Sequence, residues 1–101
     1  MTSKDIAAII LAEVEADTTL DVFMKVFLKK NLIEPTKETY IDSLDESQTF
    51  EFWTVLVEAE DGHRIAFDEV DKSFVLGMLN LDNQLEYIGH QGTFIETFKG
   101  M

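Results

Sequence analysis

The sequence predicts an α+β fold, with two N-terminal helices packed on an antiparallel β-meander of four to five strands and a short C-terminal helix. Three observations predict it. Apolar residues in the first 31 positions recur at spacings of three and four. From Phe50 the pattern changes to an aromatic and β-branched run, FEFWTVLVEAE, followed by Asp61-Gly62. The segment TFIETFKGM opens on the Thr-x-x-Glu spacing of a capping box. With 101 residues, 46% hydrophobic content and eight Phe, the chain is expected to form a single domain over 1–101 with a packed core.

Ser3 is the expected cap of a first helix carrying Ile6, Ile9, Ile10 and Val14 on one side and Glu13 and Glu15 on the other. Asp17 and Thr18 interrupt it. Thr18 or Thr19 then caps a second helix whose stripe is Leu20, Phe23, Met24, Phe27 and Leu28. Lys29 and Lys30 suit its C-terminal dipole, Asn31 terminates it, and Pro35 closes the helical half. Residues 36–49 carry the weakest pattern: Glu38 to Ser43 read as an extended strand and SLDESQT as an acidic loop.

Asp61-Gly62 predicts a two-residue hairpin turn. That register sets Glu60 opposite His63, Glu58 opposite Ile65, Leu56 opposite Phe67 and Thr54 opposite Glu69. The other face pairs Ala59 with Arg64, Val57 with Ala66, Val55 with Asp68 and Trp53 with Val70, and is turned toward the helices as the more apolar one. Strands over Ser73 to Leu79 and Leu85 to Ile88 complete the meander. Gly89-His-Gln-Gly92 reads as a turn before the last helix, on which Phe94 and Phe98 share a side.

Charge is concentrated. Residues 38–71 hold eleven of the twenty acids and one base, Arg64, so this third of the chain carries −10 of the total −12. A folded surface bearing that block attracts basic partners. It also disfavours direct nucleic-acid binding, because eight basic residues face twenty acidic ones.

The absence of Cys excludes disulfides, thiolate nucleophiles and Cys-ligated zinc. The short apolar run near the start is followed at once by Glu13, Glu15 and Asp17, so neither a secretory signal nor a membrane span is expected, and the expected location is cytoplasmic. His63 and His90 belong to no ligand spacing, and no calcium loop, nucleophile elbow, P-loop or dinucleotide fingerprint occurs. No metal, no cofactor and no catalytic residue is expected.

Phe23, Phe27, Phe50, Phe52, Trp53, Phe67, Phe74, Phe94 and Phe98 are expected in the core. One hairpin face admits a second reading, with Leu56 and Phe67 as an apolar centre rimmed by Glu58, Glu60 and Glu69. Together with Asp45, Glu46, Asp61 and Asp71 these residues are the candidate surface for a basic protein. The alternative is that Phe94 and Phe98 cover Leu56 and Phe67.

In size, acidity and lack of a catalytic motif the chain resembles immunity proteins of bacterial toxin systems and, less closely, phage-encoded DNA mimics. That is a profile resemblance over the whole chain, so it transfers no residue roles. It implies a small inhibitor that masks a cationic site on a partner such as a nuclease or another nucleic-acid-binding enzyme. The competing expectation is an interaction or scaffold domain, with acidity serving solubility and a homodimer forming through a sheet edge or the Leu20/Phe23/Phe27 helix.

Overall fold

A computed structural model describes residues 1–101. The chain is α+β, with the helices α1 (Ser3–Ala16) and α2 (Val22–Asn31), five strands, and a short C-terminal helix α3 (Phe94–Lys99). The strands are β1 (Leu32–Asp42), β2 (Thr49–Val57), β3 (His63–Asp68), β4 (Ser73–Leu79) and β5 (Leu85–Gly92). They close into a small barrel in the order β1-β2-β3-β4-β5. Five strands of a meander leave the first and last pointing the same way, so closure is parallel. It rests on two pairs, Ile41 with Glu86 and Asp42 with Tyr87. No helix is long and apolar enough to cross a membrane.

Closure buries both faces of the strands, and this divides the apolar residues into two clusters. Outside the barrel, under the helices, lie Val55, Leu56, Ile65, Phe67 and Phe74 with Ile6, Ile10, Leu20, Leu28 and Phe94. Inside it lie Tyr40, Phe52, Ala66 and Val75. The period-2 alternation of Ile65, Ala66 and Phe67 sends the first and third outward and the second inward. This reverses the expected orientation of the hairpin. The face of Ile65 and Phe67, not that of Ala66, meets the helices.

The hairpin register also differs from the expected one. Leu56 pairs with Ile65 and Val57 with Arg64, and a bulge between Thr54 and Leu56 then sets Trp53 opposite Phe67. The ladder ends where the Glu58 N–H donates to the His63 carbonyl at 2.9 Å, leaving a four-residue loop over 59–62 in place of the two-residue turn. The Gly62 N–H closes a helical turn onto the Glu58 carbonyl at 3.1 Å, and Gly62 sits at φ +75°, where a side chain is strained.

Local hydrogen bonds explain the shifted helix starts. Thr2, not Ser3, caps α1 in a box with Asp5, while the Ser3 hydroxyl donates to the Pro35 carbonyl at 2.8 Å. Asp17 takes the Thr19 N–H and hydroxyl, both at 2.7 Å, so Thr19 is engaged there and Asp21 caps α2. α2 ends at Asn31 as expected, but β1 begins directly after it, and Pro35 lies inside β1 where the register to β2 breaks. The glycines at 89 and 92 do not make a turn: β5 continues through them with two register shifts against β4. β4 and the Thr93/Glu96 capping box of α3 match expectation.

Candidate functional site

In a meander, alternate loops open at opposite ends. The β1–β2 loop (43–48) and the β3–β4 loop (69–72) therefore lie at one end of the barrel, and the β2–β3 loop (58–62) lies at the other with the β4–β5 loop (80–84). Asp45 and Glu46 are exposed at the first end together with Asp71, and Glu60 and Asp61 at the second. The candidate acids are thus divided between two ends and do not form one patch.

The proposed apolar centre is not on the surface. Leu56 is 0% exposed and Phe67 3%, both in the core beneath the helices, with Phe94 in the same cluster. The patch presumed a sheet with one wet face, and a closed, helix-covered barrel has none there. The rim is changed as well. Glu58 folds back to accept the N–H groups of Glu60 and Asp61 at 3.0 and 3.2 Å, and its other oxygen lies 3.3 Å from His63 Nδ1. Partial burial opposes ionisation of Glu58, but these hydrogen bonds outweigh it and hold the carboxyl below its ordinary range. Glu69 pairs with Lys37 at 3.2 Å and with the N-terminal amine at 3.6 Å, and the Lys37 bond in particular lowers its pKa.

The remaining acids organise their own loops. Asp45 accepts the Ser47 hydroxyl at 2.6 Å and N–H at 3.0 Å, bonds that keep its pKa low. Asp68 Oδ1 takes the Val70 and Asp71 N–H groups, while its Oδ2 lies 2.9 Å from His90 Nε2. His90 Nδ1 is 2.8 Å from the Tyr87 hydroxyl, so His90 ties the β3–β4 loop to β5 and is not a turn residue. Burial raises the Tyr87 pKa, and Asp42, Asp68 and Asp71 raise it further. Two sets, Glu58/Asp61/His63 and Asp68/Asp71/His90, could each offer a cation two carboxylates and an imidazole. The hydrogen bonds just described account for both sets as loop closures.

A feature the sequence reading missed is the largest groove, about 720 Å³, at the mouth of the barrel. Glu38 and Arg64 line it with Thr36, Thr39 and Gln84. Neither charge has an ion-pair partner, and Arg64 donates only to its neighbour's carbonyl, at 3.2 Å. Below them the Tyr40 hydroxyl meets Thr54 Oγ1 at 2.5 Å, both residues fully buried. The one available signal was Arg64 itself, the only base among eleven acids.

Tyr40 gives the barrel a predicted alkaline limit. Burial pushes its pKa up to about 12; the Thr54 hydrogen bond opposes this, Glu38 adds to it, and Arg64 opposes it. Unfolded tyrosine ionises near ~10, so the folded state holds its proton more tightly. The resulting stabilisation is complete below pH ~10 and lost as pH rises to ~12, and a difference of about two pH units corresponds to roughly 2–3 kcal/mol. Thermal melts should hold level from pH 7 to 9 and fall above pH 10. Tyr40→Phe should flatten that fall while costing about 1–2 kcal/mol at neutral pH, because Thr54 is left buried without its partner.

No family model matches the chain, and neither curated proteins nor solved structures contain a match to it.

Proposed function

We propose that this is a small acidic binding protein that neutralises or inhibits a basic partner protein, in the manner of a toxin-immunity protein or a nucleic-acid mimic, by binding and not by catalysis. The observation that carries the reading is the concentration of −10 in residues 38–71, with exposed carboxylates on the loops at the barrel ends. Charge so placed speeds encounter and fixes orientation.

The test is association kinetics with a captured basic partner, using three variants of equal charge change. Asp45→Lys with Glu46→Lys alters one end, Glu60→Lys with Asp61→Lys the other, and Glu15→Lys with Glu34→Lys alters exposed acids outside the block. One end variant should slow association about tenfold or more at low salt, an effect that fades as salt shortens the Debye length below ~8 Å. The control should change it less than about twofold. Equal loss in all three would mean that net charge alone acts, and would remove the reading.

A second reading, a homodimeric interaction domain, is favoured by one observation. α2 leaves Val22, Phe23 and Val26 exposed, Phe23 by 85%, among its exposed lysines Lys25, Lys29 and Lys30. A concentration-dependent rise to twice the monomer mass, abolished by Phe23→Asp, would support it.

A further inference from the structure

We propose that the outer edge of β1 at Lys37 and Thr39 is a strand-addition site that takes an extended, basic segment of a partner protein. The requirement for a basic segment rests on the functional reading above; the edge rests on backbone geometry.

Two hydrogen bonds fix which way the β1 backbone points. The Asp42 N–H donates to the Gln48 carbonyl at 3.0 Å, on the β2 side, and the Ser43 N–H donates to the Tyr87 carbonyl at 3.2 Å, on the β5 side. Backbone groups alternate along a strand, so the even residues of β1 address β2 and the odd ones face away from it. Ile41 meets β5 through its pair with Glu86. β5 begins only at Leu85, and the chain before it turns aside, the Asn80 N–H bonding the Gln84 carbonyl at 2.8 Å. Nothing of the sheet therefore lies beside Thr39 and Lys37. Their two N–H and two C=O groups form an open edge, and no side chain of the protein bonds to them.

This edge runs along the groove at the barrel mouth. Thr36, Glu38 and Thr39 form one wall, Asn83 and Gln84 the other, and Arg64 lines the same space. Its volume, about 720 Å³, falls within the usual range for ligand sites. An added strand would find alternate backbone partners at Lys37 and Thr39, which is how sheet edges capture extended peptides. Glu38, without an ion-pair partner, faces the segment with a carboxylate suited to Lys or Arg. Arg64 can donate to a carbonyl of the segment.

A second copy of this chain fits the edge less well. Antiparallel pairing of Lys37 with Thr39 across a dyad would set Glu38 opposite its own copy, and like charges directly opposed are destabilising. Pro35 and Glu38 are also residues that blunt an edge against indiscriminate pairing, leaving a short stretch to be matched specifically.

The probes are capped hexapeptides of alternating Lys and Val, of alternating Ser and Val, and of Lys and Val with alternate amides N-methylated. Amide exchange is followed by NMR on the intact protein. In the free protein the Lys37 and Thr39 amides should exchange rapidly. The Lys-Val peptide should slow both at least tenfold and shift resonances at Arg64, Asn83 and Gln84. The N-methylated peptide should bind at least tenfold more weakly.

Thr39→Pro removes one outward N–H and leaves the β2 ladder untouched, so it should abolish binding with little change in melting. If that variant fails to fold, the N-methylated peptide decides. Protection of Lys37 and Thr39 before any peptide is added, or binding indifferent to both Thr39→Pro and N-methylation, would overturn the proposal.

Further outcomes separate this idea from the functional reading. Lys-Val binding that perturbs only the Asp45, Glu46 and Asp71 loops would overturn the edge and leave the acidic-surface reading standing. Equal binding of the Ser-Val peptide would overturn the requirement for a basic segment. Protection that rises with protein concentration alone would assign the edge to a second copy and overturn the proposal.

Discussion

Gly77→Ala is expected to lower the stability of the barrel by about 1–3 kcal/mol, and Gly77→Val by more, because the interior has no room for a side chain at that position. A Cβ placed on Gly77 would lie 2.8 Å from a ring carbon of Tyr40 and 2.9 Å from the Glu86 carbonyl oxygen. The first neighbour is a buried ring and the second is backbone of β5, so neither gives way without moving a strand. The cause is the small size of a five-stranded barrel, in which the Tyr40 ring spans the interior and the opposite wall must be bare. In a domain of this size each kcal/mol corresponds to about 4–8 °C, so Gly77→Ala should melt roughly 5–20 °C below the parent. Combining it with Tyr40→Leu should recover part of the loss, since the clash and the ring are one interaction. A Gly77→Ala protein that melts with the parent would mean that Tyr40 does not cross to β4.

Much of the architecture was legible in the residues, and the errors have common causes. The apolar period of 3.6 in α1 and α2, the β-branched run in β2 and the Thr93/Glu96 box identify elements that form where their own local chemistry favours them. Closure of the barrel depends on Ile41 and Asp42 meeting Glu86 and Tyr87, residues about 45 positions apart that carry no mark of pairing. From that one unseen contact follows the misplaced binding patch. A closed barrel buries both strand faces, so Leu56 and Phe67 become core and the acidic rim loses its centre.

The hairpin turn was misplaced for a more local reason. Asp61-Gly62 does supply the positive φ at Gly62, but Glu58 offers its carboxylate to the loop N–H groups and favours four residues over two. Of the candidate site, the exposed acids were readable as charge, while their division between two ends follows from topology. The groove and the open β1 edge are products of incomplete closure, for which the sequence has no local signal.

The helical aromatics pose a sharper question, because Phe23 of α2 and Phe94 of α3 are both expected in the core and only Phe94 is there. Phe94→Ala should cost about 3–5 kcal/mol, whereas Phe23→Ala should fall within about 0.5 kcal/mol of the parent. Phe94 is fully buried, with its ring 5.5 Å from that of Phe74 and 6.4 Å from that of Phe98. Its backbone N–H and that of Ile95 both donate to the Glu13 carboxylate of α1, each at 3.2 Å, so α3 locks the first helix to the barrel. Removing the ring opens a cavity between three elements that cannot all move inward. Phe23 has no such neighbours and projects into solvent from α2. A loss of 3–5 kcal/mol is a large share of the ~5–15 kcal/mol that holds a typical domain together, so Phe94→Ala should be partly unfolded near body temperature. Chemical denaturation of the two variants beside the parent reads the difference directly. Similar midpoints for both would show that α3 does not seal the core, and a large loss at Phe23 instead would place α2 the other way round on the barrel.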